Sequence, residues 1–162
     1  MGSYQVWPCE TEVEMKTLVS ALALLVGSNV MAVAGDQALR FKLAAFNVGE
    51  KDGEYHFLGA TVSPDGMIGT KDFTVKEDQN GKGAGHSTYY FPGGSIVAND
   101  SFVDTATQTG GHVVGTIQIV SGTGAYQGAT GTGAFEGGWG DKSPLKNAML
   151  LNIDLDVKTP GS

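Results

Sequence analysis

The chain has 162 residues, about the length of one domain, and 41% of them are hydrophobic. Its formal net charge is −7 and its Lys and Arg residues form no cluster, which argues against a nucleic-acid partner because phosphate neutralisation needs clustered positive charge. Cys9 is the only cysteine, so no disulfide can form within one chain.

Residues 15–34 have the three regions of a secretory signal peptide. Lys16 supplies a short positive region, residues 18–26 form an apolar run, and Ala32 and Ala34 give the A-x-A pattern before a cleavage site. The apolar run is too short for a confident membrane-spanning helix. The sequence therefore predicts a secreted or periplasmic protein with no stable membrane insertion after cleavage.

Residues 1–14 do not fit that pattern and form a leader of unclear origin. Glu10, Glu12 and Glu14 stand where a signal peptide carries positive charge. A buried N-terminal helix is the alternative interpretation of this region. The mature protein is predicted to be a single domain of residues 35–162.

From Ala38 onward, helical periodicity is absent and strand patterns recur. In the first segment, Leu39, Phe41 and Leu43 share one face, while Arg40 and Lys42 share the other. Eight such segments alternate with turns, and they span 38–48, 55–62, 67–77, 86–91, 95–103, 112–120, 132–139 and 148–158. Residues 78–85 are predicted to form a loop. The pattern predicts an all-β protein, an eight-stranded antiparallel barrel of lipocalin-like shape, with a two-sheet sandwich as the alternative.

The glycine-rich stretch from Gly115 to Gly140 suggests three structures. A dinucleotide-binding loop needs G-x-G-x-x-G before a helix, but Gln127 stands at the third glycine position and no helical pattern follows. A flexible linker is disfavoured because Val120, Tyr126 and Phe135 have the character of buried residues. A tight turn between two strands remains, with glycines where the backbone needs positive φ or close approach.

The segment "GTIQIVSGTGAYQGATGTGAF" resembles the allene oxide cyclase and dirigent barrel superfamily. The family pattern is G-G-T/S-G-x-[YF]-x-G-A-x-G after an apolar strand, and the matching residues are Ser121, Gly122, Thr123, Gly124, Tyr126, Gly128, Ala129 and Gly131. The resemblance covers roughly residues 88–135 and implies an eight-stranded barrel, commonly trimeric. It places the glycine-rich turn between two late strands.

The resemblance also implies chemistry that depends mainly on cavity shape. Cyclases of this family fold an unstable epoxide in an apolar cavity, and dirigent proteins orient phenoxy radicals or quinone methides. Asn47 matches the family's first-strand Asn, whereas Ala45 stands where the cyclases carry Glu and Thr130 where dirigent proteins often carry Arg. The activity must therefore be argued from the site itself.

Asn47 is the first candidate site residue, because it follows Phe41 and Leu43 along the apolar face. A lone amide there is costly unless it is hydrogen-bonded. It either contacts a ligand or an ordered water in the cavity, or it caps the strand end beside the following turn. Phe41 and Leu43 are candidates for the cavity lining.

Asp72 and Asp100, together with Asp104, lie within predicted strands. An inward carboxylate in an apolar cavity has a raised pKa and can act as a general acid or base, but outward Asp residues on strands are more common. Tyr89 and Tyr90 are adjacent, so one is expected to face inward and line the pocket while the other faces outward.

The three histidines are far apart in the sequence, and no spacing predicts a metal site or another cofactor. Trp139 either covers the barrel mouth or packs at a subunit contact. The sequence predicts a secreted barrel that binds a hydrophobic small molecule, and the resemblance to the allene oxide cyclase and dirigent superfamily implies that it can steer cyclisation or isomerisation of that molecule and can assemble as a homotrimer. A non-catalytic carrier and a purely structural barrel are the alternatives, and an inward ionisable group would favour an enzyme.

Overall fold

The computed structural model describes residues 35–141 and 148–160, which form eight β-strands. The strands are β1 (Gly35–Lys51), β2 (Glu54–Val62), β3 (Ile68–Glu77), β4 (Lys82–Phe91), β5 (Gly94–Thr107), β6 (Gly110–Gly124), β7 (Thr130–Gly140) and β8 (Ala148–Thr159). The predicted leader and signal peptide lie outside the described residues. Within these two ranges there is no helix long and apolar enough to cross a membrane.

The strands pair in chain order and close into one barrel. Every pairing is antiparallel, and closure comes from β1 and β8, where Gly35 pairs with Thr159 and Ala45 with Met149. Closure leaves no strand with an unpaired backbone edge, which is how small all-β domains avoid edge-to-edge association. The predicted eight-stranded barrel is confirmed, and the alternative of two packed sheets is wrong.

Successive residues alternate between the barrel interior and its outer face. In β1, Leu39, Phe41, Leu43 and Ala45 are buried, whereas Arg40 and Lys42 are exposed. The same alternation runs through β8, where a buried side chain is followed by an exposed Asn or Asp. The period of two places apolar side chains inside and charge in water, as predicted for β1.

The interior has two ends that are filled differently. At the packed end, where β1 begins and β8 finishes, aromatic rings fill the interior: the Phe41 centroid lies 5.7 Å from that of Tyr89 and 5.4 Å from that of Phe91. Tyr126 lies 5.9 Å from Phe91 and covers this end. The open end, where β1 finishes and β8 begins, contains a cavity.

The glycine-rich stretch contains a turn between β6 and β7, as predicted. Tyr126 N donates to Thr123 O at 3.0 Å, and Ala129 N donates to Tyr126 O at 2.9 Å. Gly124 and Gly128 have positive φ of 59° and 73°, which glycine adopts without the Cβ clash of other residues. The turn thus holds Tyr126 against the packed end.

Several predicted boundaries are wrong: β1 begins at Gly35, β5 ends at Thr107 and β6 ends at Gly124. In addition, β4 begins at Lys82 and not at residue 86. Gly83 pairs with Phe102 of β5, and the Phe102 ring lies over the glycine where a Cβ would otherwise sit. Glycine has weak strand propensity by itself, but a cross-strand aromatic ring compensates for its missing side chain. The residues between 82 and 85 are therefore strand instead of loop.

Candidate functional site

A cavity of about 250 Å³ lies inside the barrel and reaches the open end. Its walls are mainly apolar and aromatic side chains from β2, β3, β5, β6, β7 and β8. The lining residues are Tyr55, Phe57, Lys71, Phe73, Val75, Glu77, Asp100, Phe102, Asp104, Val113, Phe135, Trp139, Met149 and Leu151. Apolar walls with a few converging polar groups are typical of small-molecule sites.

Glycines on neighbouring strands make room for two of the wall rings. Phe102 lies over Gly83 of β4, and Phe135 lies over Gly115 of β6, each directly across its strand pair. A Cβ at either glycine would overlap the ring. These glycines of β4 and β6 therefore serve the shape of the cavity.

The floor of the cavity is a buried ion pair. Lys71 Nζ donates to Asp100 Oδ2 at 3.0 Å, and the two side chains are only 1% and 3% exposed. Ser87 Oγ donates to the other carboxylate oxygen of Asp100 at 3.3 Å. Each of these residues lies two positions from a buried apolar or aromatic residue of its own strand, namely Phe73, Tyr89 and Ala98, so the period of two directs all three inward.

Aromatic rings surround the Lys71 ammonium as well. Its Nζ lies 4.5 Å from the centroid of Phe73, 4.8 Å from that of Tyr89 and 5.6 Å from that of Phe135. Such cation–π contacts strengthen when they are removed from water. Burial by itself lowers the pKa of Lys71, but the Tyr89 oxygen and the Asp100 carboxylate outweigh it, so the pKa is raised and the side chain is an ammonium at neutral pH.

Tyr89 stands beside this pair with its hydroxyl completely buried. Burial raises the pKa of Tyr89, so the side chain is a neutral phenol. The hydroxyl interacts with Lys71 and Ser87, but among the described residues it makes no hydrogen bond of regular geometry. The floor therefore combines one ammonium, one carboxylate and two hydroxyl groups in an otherwise aromatic interior.

The mouth of the cavity is acidic. Trp139 Nε1 donates to Asp104 Oδ2 at 2.7 Å, whereas Asp104 Oδ1 is buried and has no partner in the described part of the chain. Gly111 makes space for this contact, because a Cβ there would lie 2.6 Å from Asp104 Oδ1. Burial, and then the nearby charges of Asp104 and Asp78, raise the pKa of Glu77 at the same rim.

Several predicted site residues face the interior. Tyr89 is buried and Tyr90 is 49% exposed, which confirms that one of the pair faces inward and the other outward. Asp100 faces inward and forms the floor of the cavity. Phe41 and Leu43 are buried, but they belong to the packed part of the core and do not line the cavity.

Two of the candidates lie on the outer face and are corrected as cavity residues. Asp72 is half-exposed and its Oδ1 lies 2.7 Å from His56 Nε2, across the outer surface of β2 and β3. Tyr90 likewise faces outward on β4, next to the inward-facing Tyr89. The reason is the period of two: Phe73 and Val75 face inward, so Asp72 between Lys71 and Phe73 must face out.

Asn47 lies where β1 bulges, and its side chain bonds to its own strand. Its Oδ1 accepts a hydrogen bond from Gly49 N at 2.9 Å, and the pairing of β1 with β2 shifts register between these two residues. Asn47 is half-buried and does not contribute to the cavity walls. This geometry matches the strand-end role, which was the alternative to a ligand contact.

Sequence reasoning missed Lys71 and Glu77, although a signal for Lys71 exists. In "GTKDFTV", Lys71 shares its parity with Phe73 and Val75, the apolar set of that strand. A lysine on the apolar face of a strand requires a buried partner. Glu77 continues the same face to the strand end, where it reaches the mouth.

The outer face carries the three histidines, separated from one another. His56 pairs with Asp72, His86 Nδ1 lies 2.8 Å from Asn99 Oδ1, and His112 Nε2 lies 3.2 Å from Glu136 Oε1. In the ranges that the structure describes, no three His, Cys, Asp or Glu side chains converge as ligands for a metal ion.

Comparison with known proteins found no match for this chain. No protein-family model matches it, and neither curated proteins nor solved structures gave a match. Its function is therefore argued from the cavity.

Proposed function

We propose that the barrel binds one small, largely apolar molecule in the cavity at its open end. The observation that carries the proposal is the Lys71–Asp100 pair at the floor of an aromatic cavity. Removing two charges from water costs several kcal/mol per ion, and apolar residues of similar volume stabilise a core as well or better. A barrel that only had to be stable would not need this pair.

The dimensions of the cavity limit the ligand. Its volume of about 250 Å³ is below the roughly 300–1,000 Å³ of sites for drug-sized molecules. A molecule with one or two rings fits this space. Rings on several sides favour an aromatic or planar apolar body, because aromatic pairs gain energy beyond the burial of area.

The floor gives such a ligand an orientation. An ammonium has three N–H donors, and one of those of Lys71 is directed to Asp100. A hydroxyl, carbonyl or ether oxygen at the inner end of the ligand can accept another. The raised pKa of Lys71 keeps that donor available at neutral pH.

The catalytic form of the proposal is cyclisation or isomerisation of the bound molecule. The resemblance to the allene oxide cyclase and dirigent superfamily motivates this form, and the inward ammonium of Lys71 supports it as a donor to oxygen where negative charge develops. A carrier would return the ligand unchanged. An isomerase would release a product of equal mass and different chromatographic retention.

Titration calorimetry with naphthol and naphthalene tests the binding site. We expect one naphthol per chain, bound about three- to tenfold tighter than naphthalene because of one hydrogen bond. The Lys71→Met/Asp100→Leu double variant removes the donor without leaving a lone charge, and it should bind both probes equally. Equal affinities in the parent chain would overturn the role of Lys71.

Two adjacent residues of β6 provide a matched pair of variants that tests the location of the binding site. Val113 is 4% exposed and lines the cavity, whereas Val114 is 42% exposed on the outer face. Val113→Phe should fill the cavity and abolish binding, while Val114→Phe should leave it unchanged. Val75→Phe fills the same cavity nearer the mouth and serves where Val113→Phe does not fold. Binding that survives both inward variants contradicts the proposed site.

We propose in addition that the protein is exported and self-associates as a trimer. Export would give a mature chain beginning at Gly35, and the intact mass of the exported protein tests this.

Self-association is supported by an apolar patch on the outer face of β1–β4, which consists of Phe46, Leu58, Val62, Ile68 and Tyr90. Sedimentation of the parent as a monomer at micromolar concentration would contradict the trimer, and Leu58→Glu should convert a trimer to monomers.

A further inference from the structure

The cavity has an uneven distribution of charge along its depth. At the floor, Lys71 and Asp100 neutralise each other over 3.0 Å. At the mouth, Glu77 and Asp104 both line the same space, and neither forms a salt bridge with a cation among the described residues. The described walls thus carry three carboxylates and one ammonium.

The carboxylate of Asp104 is held in a fixed position. The Trp139 indole N–H binds one oxygen at 2.7 Å, and the other oxygen is buried without a partner in the described ranges. No cation of the described residues compensates this carboxylate, and an uncompensated charge in a partly desolvated cavity attracts a cation more strongly than the same charge in water. The raised pKa of Glu77 has the same origin, because burial and Asp104 both disfavour a second negative charge there.

We infer that the cavity selects an organic cation: an amine whose ammonium lies at the mouth between Glu77 and Asp104, beside the Trp139 indole, with its apolar body directed toward Lys71. This inference rests on the proposed binding function and specifies its ligand class. The ammonium would lie in the field of both carboxylates and neutralise their charge, while Asp104 Oδ1 itself is closed to solvent. The indole face would add a cation–π contact, for which Trp is the best partner.

The same charges disfavour an anionic ligand. A carboxylate directed inward would have to compete with Asp100 for Lys71, and one directed outward would face Glu77 and Asp104. Like charges brought together in a partly desolvated site weaken binding strongly. A neutral alcohol has neither gain nor penalty at the mouth.

The sequence has two lysines between β7 and β8, Lys142 and Lys146, which lie outside the described residues. Their replacement tests whether a cation of the chain itself, and not a ligand, is the partner of the acidic mouth. The double variant Lys142→Gln/Lys146→Gln therefore belongs in the experiment.

Calorimetry with phenylpropylamine, phenylpropanol and phenylpropionate, which share one apolar body, tests the inference on the full chain. We expect the amine to bind at least about tenfold tighter than the alcohol, and the carboxylate to bind most weakly. Glu77→Gln/Asp104→Asn should bring the affinity of the amine to that of the alcohol, because the introduced amide can still accept the Trp139 N–H but carries no charge. Asp72→Asn, which removes an acid of β3 on the outer face, should keep the preference.

The outcomes separate this inference from the proposed function. Binding of the alcohol as tightly as the amine overturns the cation selectivity and leaves the small-molecule site intact. An amine preference that appears only in Lys142→Gln/Lys146→Gln overturns it as well, since the chain then supplies its own cation. Failure of all three probes to bind the parent overturns the selectivity together with the proposed function.

Discussion

The two ends of the barrel interior have the same strands and the same alternation, but they are filled differently. At the packed end, Phe41, Phe91 and Tyr126 close the interior with ring against ring. At the open end, rings of similar size, among them Phe57 and Phe73 stacked at 5.0 Å, form the walls of a cavity whose floor is an ion pair. The backbone of the barrel alone therefore does not determine whether a cavity forms. The side chains at equivalent interior positions determine it.

The difference also separates stability from binding. Buried apolar area at the packed end stabilises the fold at about 25 cal/mol per Å². The charged floor and the acidic mouth of the open end offset part of that gain, because buried ions lose hydration. Substitutions that distinguish the two ends should change stability and ligand affinity independently.

The largest effect is expected from breaking the pair at the cavity floor. Asp100→Asn leaves the Lys71 ammonium without its carboxylate partner, and we expect a loss of about 3–5 kcal/mol in the free energy of unfolding. Urea denaturation measures this loss. The Lys71→Met/Asp100→Leu double variant should recover most of the stability, and a double variant as unstable as Asp100→Asn would show that the charges themselves are not the cause.

Two leucines of β8 compare the two ends directly. Leu155 is buried between Leu39 and Gly133 toward the packed end, whereas Leu151 lines the cavity. Leu155→Ala should cost about 2–5 kcal/mol, and Leu151→Ala should cost less because its side chain already adjoins empty space. Urea denaturation of both variants and calorimetry with naphthol provide the measurements.

Only Leu151→Ala should alter the affinity for naphthol. Equal costs in stability for the two leucines, or an altered affinity in Leu155→Ala, would remove the distinction between the packed and open ends.

A smaller effect is expected at the rim of the barrel. Asn47→Ala removes the acceptor of the Gly49 N–H at the β1 bulge and should cost about 0.5–1.5 kcal/mol. Asn47→Asp keeps an acceptor oxygen and should retain that stability. The affinity for naphthol should be unchanged in both variants, and weaker binding with unchanged stability would instead assign Asn47 to the ligand.

The smallest expected effect is a dependence of stability on pH from Glu77. Its pKa in the folded chain is raised above 4.5 by burial first and then by Asp104 and Asp78, so the folded state holds a proton that the unfolded state has already released. Stability from this group is greatest at low pH and decreases as the pH rises from about 4.5 through the folded pKa. The free energy of unfolding of the parent minus that of Glu77→Gln, followed against pH, should decrease over that range, and a flat difference would contradict the shift.

The sequence by itself determined the class of fold. Alternation such as Leu39, Arg40, Phe41, Lys42 fixes which face of a strand is buried, and eight such segments with short turns are sufficient to predict an antiparallel barrel. It also determined that one of Tyr89 and Tyr90 points inward. These features depend on the local period of two, which can be identified in the sequence without knowledge of the tertiary contacts.

Only the tertiary structure decided the site. Lys71 and Asp100 are 29 residues apart, and their contact requires two strands that are not consecutive, on either side of β4, to direct side chains into one interior. Asp104 and Trp139 meet across β5, β6 and β7 because Gly111 leaves them space. Such contacts depend on which strands pair, in which register, and on closure of the barrel, and these features result from many weak interactions between distant parts of the chain. The direction of a single side chain, in contrast, follows from the alternation along its own strand.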